Sequence, residues 1–460
     1  MPGQRYERAH CQACGCEQAA AISAKNQESY PVEIREGFHE KTWDLSHSGG
    51  HSGGGAAFRL RRKAGGKLRG FSAEPGCPSL CSVGDRCFFG NFEALDQVTN
   101  DFNRYYPDIT FSYEQVGGRN LEAYLDANAG VDIMMVSAEF MNAKDATLPD
   151  RCRDLTGIDT SAIDGKMLKS YNIGGVQKAI PMAQRVTGMV VNTTLLENEG
   201  LSLPQNTQEF LSVLAALKEK GYTPIQGPAG KAYAELTQGE VNTALCTDME
   251  FLESARAGGQ MAADRLVSVF GLLDIIRDNG YTDEDLNASL PEDNYDGAIL
   301  NFFEGKTPFW ICDTEKVSGM KKRESKSEAF QSAPFEYGFV YVPLDEMGSY
   351  VYQEPWFGFA VNRDAADPEY AMEFLRLLAT RQEIDTMAKV KGVPSVVVDT
   401  VQADIYRDVK SPEAMADRVV NTGTITPEIT AKWYSVTRAY MDGAYDSPEA
   451  AARDFLSAVE

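Results

Sequence analysis

From residue 87 onward the chain alternates short apolar runs with stretches whose apolar residues recur every three or four positions. This is the pattern of buried strands separated by amphipathic helices. The segment RCFFGNFEALDQVTNDFNRYYPDITFSYEQV predicts a strand ending near Phe89 and a helix with Leu95, Val98 and Phe102 on one face. Beyond Pro107 it predicts a second strand from Ile109. Ile133–Val136 is apolar at every position, as parallel strands buried on both faces are, and runs into a polar loop at Ser137–Glu139. A strand through Gly188–Val191 follows, then a short helix, a break at Pro204, and a helix capped by Asn206 or Thr207 that ends past Lys218–Lys220 at Gly221. Helices are expected around Thr247–Ala257 and Met261–Asn279, and another stops at Gly305 before the buried strand TPFWIC. FEYGFVYVPL reads as a strand, and EPWFGFAVNRDAADPEYAMEFLRLL, Glu354–Leu378, holds a strand, a turn and a helix. From Pro412 the chain is mainly helical. Strands alternating with helices predict an α/β protein with two open sheets.

At 460 residues the chain exceeds what one core usually holds, since single cores stop growing near about 250–300 residues, so two lobes are expected. The net charge of −23 argues against a nucleic-acid partner, which needs a basic footprint. Histidine placement excludes more. All four histidines, His10, His39, His47 and His51, precede residue 87. The main body therefore holds no Ser-His-Asp or Cys-His arrangement and no histidine base or metal ligand. Cys152, Cys246 and Cys312 are too scattered for a disulfide framework and are expected as small buried residues.

Residues 1–86 have a different texture, with twelve Lys/Arg against nine Asp/Glu. The motif HCQACGC, His10–Cys16, carries zinc-type ligands, but no second CxxC at zinc-ribbon spacing follows, so a tail is expected rather than a metal site. SGGHSGGGAAFRLRRKAGGKLRG, Ser48–Gly70, is Gly-rich and basic without a usable apolar period, and is expected to be disordered. No stretch has the basic start, apolar run and small-residue cleavage site of a secretory signal. Neither a cofactor nor a metal is expected.

Four segments, in order, carry a resemblance: IPMAQRVTGMVVNTTLLENEGL, LPQNTQEFLSVLAALKEKGYTPI, ILNFFEGKTPFWICDTEKV and WFGFAVNRDAADPEYAMEFLRLL. They are similar to segments of the extracellular solute-binding proteins of carbohydrate ABC transporters, family 1, the maltodextrin-binding-protein-like group. The shared features are a Pro-containing strand crossing between lobes, a helix leading to a Gly-Tyr-Thr-Pro turn, an F-x-x-G-K helix and strand, and a W-G-x-A-I-like strand followed by an A-x-x-F-L-x-x-L helix. The resemblance covers Cys87–Glu460. It implies a two-lobed periplasmic-binding-protein-like α/β fold (type II), each lobe an open mixed sheet flanked by helices, with the ligand cleft between them. Lobe 1 would be residues 87–186 with 345–398, and lobe 2 residues 187–344 with 399–460. Residues 1–86 would then be a disordered or non-native extension standing where an export signal or lipoprotein anchor belongs. An extracellular, lipoprotein or periplasmic location follows from the resemblance, though no signal peptide is visible.

A sugar presents apolar C–H faces and a ring of hydroxyls, so its site needs aromatic platforms and polar groups that bond hydroxyls in pairs. Such groups belong at the carboxyl ends of strands. The resemblance implies Phe89 and Asn91 after the first strand, Glu139 after the third, and Arg185 at the lobe crossover. There the maltodextrin-binding member uses an acidic residue, so Arg185 could hold vicinal hydroxyls or the carboxylate of an acidic sugar, or serve as a hinge ion pair. Trp310 departs from the family by lying inside its strand, where a core role is expected, which leaves Asp313 and Glu315 as polar contacts. ITAKWYSVTRAYMDG resembles a helix whose tryptophan stacks on sugar, implicating Trp433 and then Tyr434. The competing role for Trp433 is helix packing with Val436 and Tyr440. Trp356, where the chain recrosses, faces cleft or core, and Tyr233 in KAYAEL is a further candidate contact from the second lobe.

The implied function is binding without turnover. A monomer would capture a sugar or oligosaccharide by closing about hinges near Thr187, Pro343 and Asp399, and deliver it to the membrane permease of an ABC importer. Two alternatives remain. One is a binding protein for a polyamine, anion or peptide; the other is a glycoside-processing enzyme using the carboxylates of TDEDLNASLPEDNYD.

Overall fold

The computed structural model describes residues 54–62, 93–117, 121–128, 130–227, 232–283, 295–344, 350–398 and 417–459. Phe89, Asn91, Asp399, the His10–Cys16 motif and most of TDEDLNASLPEDNYD lie outside the described residues. The chain begins with β1 (Gly54–Arg62), α1 (Glu93–Tyr105), β2 (Ile109–Gly117), α2 (Leu121–Ala127), β3 (Ile133–Val136), α3 (Ala138–Met141) and α4 (Gly165–Lys169). A small hairpin, β4 (Asn172–Ile173) and β5 (Val176–Gln177), leads into the 13-residue β6 (Ile180–Asn192). Then come α5 (Thr193–Asn198), α6 (Thr207–Glu219), β7 (Ile225–Gln226), α7 (Ala232–Thr247), α8 (Met249–Arg256), α9 (Gln260–Asp278) and α10 (Tyr295–Phe302). β8 (Phe309–Asp313), α11 (Thr314–Val317), α12 (Met320–Glu324), α13 (Glu328–Ser332) and β9 (Tyr337–Val340) precede the 12-residue β10 (Tyr350–Val361). The last elements are α14 (Pro368–Leu378), α15 (Arg381–Lys391), β11 (Asp417–Val420), α16 (Pro427–Met441) and α17 (Pro448–Leu456).

Local chemistry sets the helix ends. Asn206 caps α6 by accepting from the Glu209 N–H at 2.9 Å, while the Glu209 carboxylate accepts from the Gln205 N–H, also at 2.9 Å. This reciprocal arrangement uses up donors that a helix start leaves without partners. Pro368, Pro427 and Pro448 open α14, α16 and α17, where a missing N–H costs nothing.

The sheet runs in the order β2-β1-β3-β10-β6-β8-β7, with β11 added to β10 and β9 to β6. β6 and β10 change partners along their lengths. β6 pairs with β10 over its first half, then with β8 from Thr187 and with β9 from Met189. β10 pairs with β11 over Tyr350–Gln353 and with β3 over Gly358–Val361. Among the described residues four apolar clusters form around these strands, two of them large enough to act as the main cores. One gathers Val98, Phe102, Ile133, Ile180, Phe359 and Phe374. The other gathers Met189, Phe210, Phe270, Ile311, Trp433 and Phe455. Where two open sheets are expected, one continuous nine-stranded sheet forms, because β6 and β10 are long enough to serve both cores.

Two glycines mark close approaches on these strands. A Cβ on Gly188 would stand 2.4 Å from the Val340 carbonyl oxygen, and one on Gly358 would stand 2.8 Å from that of Ile180. Only hydrogen fits at either position.

Two further expectations need correction. Gly54–Arg62, expected to be disordered, forms β1 and pairs antiparallel with β2 along nine residues and with β3 at Ala56–Phe58. The reason is that β2 and β3 leave a slot between them, and backbone pairing fills it without requiring an apolar period. β3 is buried at all four positions as expected, but both of its sheet neighbours run antiparallel to it. Its continuous burial comes from cover on both faces: Ile133 and Met135 enter one cluster, Met134 and Val136 another.

Candidate functional site

The midpoints of β6 and β10 bring charged side chains to the junction of the two cores. Arg185 lies opposite Glu354 in the antiparallel register, where cross-strand side chains meet. Its Nε donates to Glu354 Oε1 at 2.8 Å, and its Nη2 donates to the same oxygen. Nη2 also lies 4.0 Å from Glu139, which α3 presents just beyond the end of β3. Ser137 sets that turn by capping α3, its hydroxyl accepting from the Phe140 N–H at 3.3 Å.

The other core supplies its charges from the β8–α11 turn. Asp313 ends β8 opposite Thr187 and caps α11, accepting from the Lys316 N–H at 3.2 Å. The Thr314 hydroxyl accepts from the Val186 N–H and donates to the Gln184 carbonyl, each at 3.2 Å, and so locks this turn onto β6 beside Arg185. Lys316 Nζ reaches Asp313 at 2.9 Å and Glu235 of α7 at 3.5 Å. Tyr434 of α16 donates to Gln238 of α7 at 3.1 Å and lies in the field of the same charges. A small pocket of about 20 Å³ adjoins them, lined by Thr187, Glu235, Glu240, Tyr341 and Tyr352 among others.

Electrostatics keep this assembly charged. Burial alone would lower the Arg185 guanidinium, but Glu354 and Glu139 hold it well above its ordinary value. Lys316 behaves alike, opposed by burial and raised by Asp313 and Glu235. Burial would raise the Asp313 carboxyl, yet Lys316 and Arg185 bring it below the usual carboxylate range. Tyr434 and Tyr352 are pushed well up by burial, helped by Glu235 and Glu354 respectively, so both stay protonated hydroxyl donors. Ionised donors and acceptors packed at one junction are suited to bonding a polyhydroxylated or charged solute.

A family model described as "Bacterial extracellular solute-binding protein" matches residues 90–383. The chain belongs to this family. A search among curated proteins returns no match for this solute-binding protein. Solved structures share its shape. RafE in complex with raffinose is 18% identical, with a TM-score of 0.60 over 79% of this chain and 94% of its own. The apo form of RafE comes from Streptococcus pneumoniae. A chitin oligosaccharide binding protein is 17% identical, with a TM-score of 0.64 over 80% of this chain and 93% of its own. The GacH receptor of Streptomyces glaucescens, known unliganded and with acarbose, is 15% identical, with a TM-score of 0.59 over 81% and 95%. At these identities the likeness establishes the fold, the two-lobed type II binding-protein architecture.

Of the residues singled out in this solute-binding protein's sequence, Glu139, Arg185, Asp313, Glu315 and Tyr434 come together. Glu315 acts on both Arg185 and Lys316 through its charge. Trp433 does not join them. It is 1% exposed, its indole N–H donates to the Ala234 carbonyl at 3.2 Å, and its ring packs on Phe270 and Phe455. A ring so enclosed has no face to offer a sugar, and the helix-packing role is the one observed. Tyr233 is likewise buried, its hydroxyl 2.6 Å from that of Thr282. Trp310 is fully buried in the strand, as expected. Trp356 is half-buried at a bulge in β10, packed edge-on to Phe357 with Lys391 Nζ 5.7 Å above its ring.

Sequence reasoning missed Glu354 as a partner of Arg185, and Lys316 and Glu235 altogether. The acidic residue ahead of Pro355 was visible in the sequence. Its significance depends on the β6–β10 register, which no local pattern specifies.

Proposed function

We propose that this protein captures a carbohydrate between two lobes and presents it, as a monomer, to the membrane permease of an ABC importer. The observation that carries the reading is that Arg185, on a strand shared by both cores, lies 4.0 Å from Glu139 on one side and in the field of Asp313 on the other. Family membership and neighbours solved with raffinose and with acarbose support a saccharide ligand. The lobes are taken as residues 87–186 with 345–398, together with the β1 strand that pairs into that sheet, and 187–344 with 399–460. Glu139, Arg185, Asp313, Glu315 and Tyr434 are the proposed hydroxyl partners, with Trp356 at the rim. Phe89 and Asn91 remain proposed contacts on the sequence argument. Tyr233 and Trp433 pack behind the site. Bound ligand favours the closed arrangement because it touches both lobes there. The reaction is capture without turnover, and attachment as a lipoprotein outside the cell fits the family.

A thermal-shift panel tests this, since a ligand that binds only the folded state raises the melting temperature by mass action. Raffinose, chito-oligosaccharides and acarbose should include at least one that stabilises the protein. A shift by spermidine, a carboxylate or a peptide with none by any saccharide would overturn the carbohydrate reading. Repeated cleavage of an oligosaccharide would overturn capture without turnover.

A further inference from the structure

Three segments run between the two cores: β6 at its midpoint, β10 at its midpoint, and β11 with the turn that follows it. Val419 of β11 belongs to one core and Val420 to the other. Together the segments contribute four polar side chains, two of them from β10, to a single chain of hydrogen bonds. Arg185 of β6 donates twice to Glu354 Oε1. The other carboxylate oxygen, Oε2, accepts from Asn421 Nδ2 at 3.4 Å and from the Tyr352 hydroxyl at 3.3 Å. Asn421, 5% exposed, closes β11 and organises the turn behind it. Its Oδ1 accepts from the N–H groups of Gly423 and Ile425 at 3.0 and 3.1 Å, and its Nδ2 also donates to the Ile425 carbonyl at 3.0 Å. Its backbone is tied in too, the N–H donating to the Gln353 carbonyl at 3.1 Å and the carbonyl accepting from Ser170.

We infer that Arg185, Glu354 and Asn421 form a clasp across the three crossing segments, in which Glu354 and Asn421 are positioning residues for ligand binding. This rests on the reading that solute is taken up between the lobes. Glu354 occupies the Nε and Nη2 edge of the guanidinium and so fixes its plane, while Nη1 has no partner among the described residues. That leaves a pre-oriented donor group at the junction, and orientation fixed before binding is what gives such a group its strength. Opening the lobes turns the three segments against one another. The 3.4 Å bond from Asn421 to Oε2, which crosses between segments, is near the limit of useful length and yields first, whereas the charge-assisted pair resists. The clasp therefore links the angle between lobes to the aim of Arg185.

The test uses the full chain, with Glu354→Gln, Asn421→Ala and their combination. Affinity for a saccharide that stabilises the wild type is measured by calorimetry, and the radius of gyration by small-angle scattering with and without it. Each single variant should bind about tenfold more weakly, with the combination less than additive, because the two act through one network. The unliganded variants should scatter as more open particles. A purely structural role would lower the melting temperature and leave affinity, measured well below it, within about twofold; that result overturns the clasp. If no saccharide binds the wild type, the carbohydrate reading fails while the clasp is still judged on scattering: an unchanged radius in unliganded Glu354→Gln rejects it. Should Glu354→Gln not fold, Tyr352→Phe, which deletes only one hydroxyl bond to Oε2, carries the same expectation.

Discussion

Arg185 and Glu354 stand directly opposite each other on β6 and β10, both largely buried, with the guanidinium Nε 2.8 Å from the carboxylate. The two strands they join are shared by both cores. A buried pair of this kind is costly to half-remove, because the surviving charge loses its partner but stays out of water. Arg185→Met should destabilise the protein by about 3–5 kcal/mol in urea unfolding, and adding Glu354→Gln should recover part of that loss. Equal stability of the single and double variants would show the pair to be screened by solvent.

Trp433 should prove to be a core residue. Trp433→Ala removes a ring packed on Phe270 and Phe455, and large-to-small changes of this kind cost about 3–5 kcal/mol. Chemical denaturation should show that loss. Wild-type stability together with abolished ligand binding would place the ring in the cleft instead.

Gly188→Ala should be poorly tolerated. The new methyl would press on the Val340 carbonyl oxygen and the Phe339 ring, where β6 passes to β9. Overpacking costs about 1–3 kcal/mol, visible as a lower melting temperature. An unchanged melt would mean that β9 moves freely away from β6.

Glu383 predicts a pH dependence. Burial, then the nearby Asp101 carboxylate, push its carboxyl up to about 7, with Arg104 opposing. Its Oε2 has no hydrogen-bond partner among the described residues. The folded state therefore holds this proton more tightly than the unfolded chain does. The associated stability is fully present below about pH 4.5 and is lost as pH rises from there through about 7. Glu383→Gln, which mimics the protonated form, should be more stable than the wild type at pH 8 by roughly 2 kcal/mol and level with it near pH 4.5. A variant less stable than wild type at pH 8 would refute this.

The strand Gly54–Arg62 should matter to folding. Phe58 pairs in register with Tyr113 on one side and Ile133 on the other. Phe58→Pro removes a ladder N–H at the centre of this strand, and proline is excluded from paired central strands. Circular dichroism should show a lower, broader melt, as should a chain starting at residue 87. A melt unchanged in both would mean that β2 and β3 do not depend on β1.

Much of this protein was legible one element at a time. Apolar periodicity gave α1 through Leu95, Val98 and Phe102, and residue chemistry gave the Asn206 cap of α6. The absence of histidine after residue 87 closed off whole classes of chemistry. These are local properties, set by side chains within a turn or two of each other. Family membership and the two-lobed fold were likewise readable, because they reside in the order of such segments along the chain.

What the tertiary structure alone decided depends on register and on long-range closure. Trp433 and Val436 share a helical stripe that would suit a cleft or a core, and only the packing of Phe270 and Phe455 around the ring settles which. The basic, Gly-rich stretch at Gly54–Arg62 has no apolar period, yet it becomes a strand because the slot between β2 and β3 supplies backbone partners. Arg185, Glu354 and Asn421 lie far apart in sequence, and a shift of one residue between β6 and β10 would turn them from one another. Local pattern fixes which face a side chain takes; pairing between distant strands fixes what it meets there.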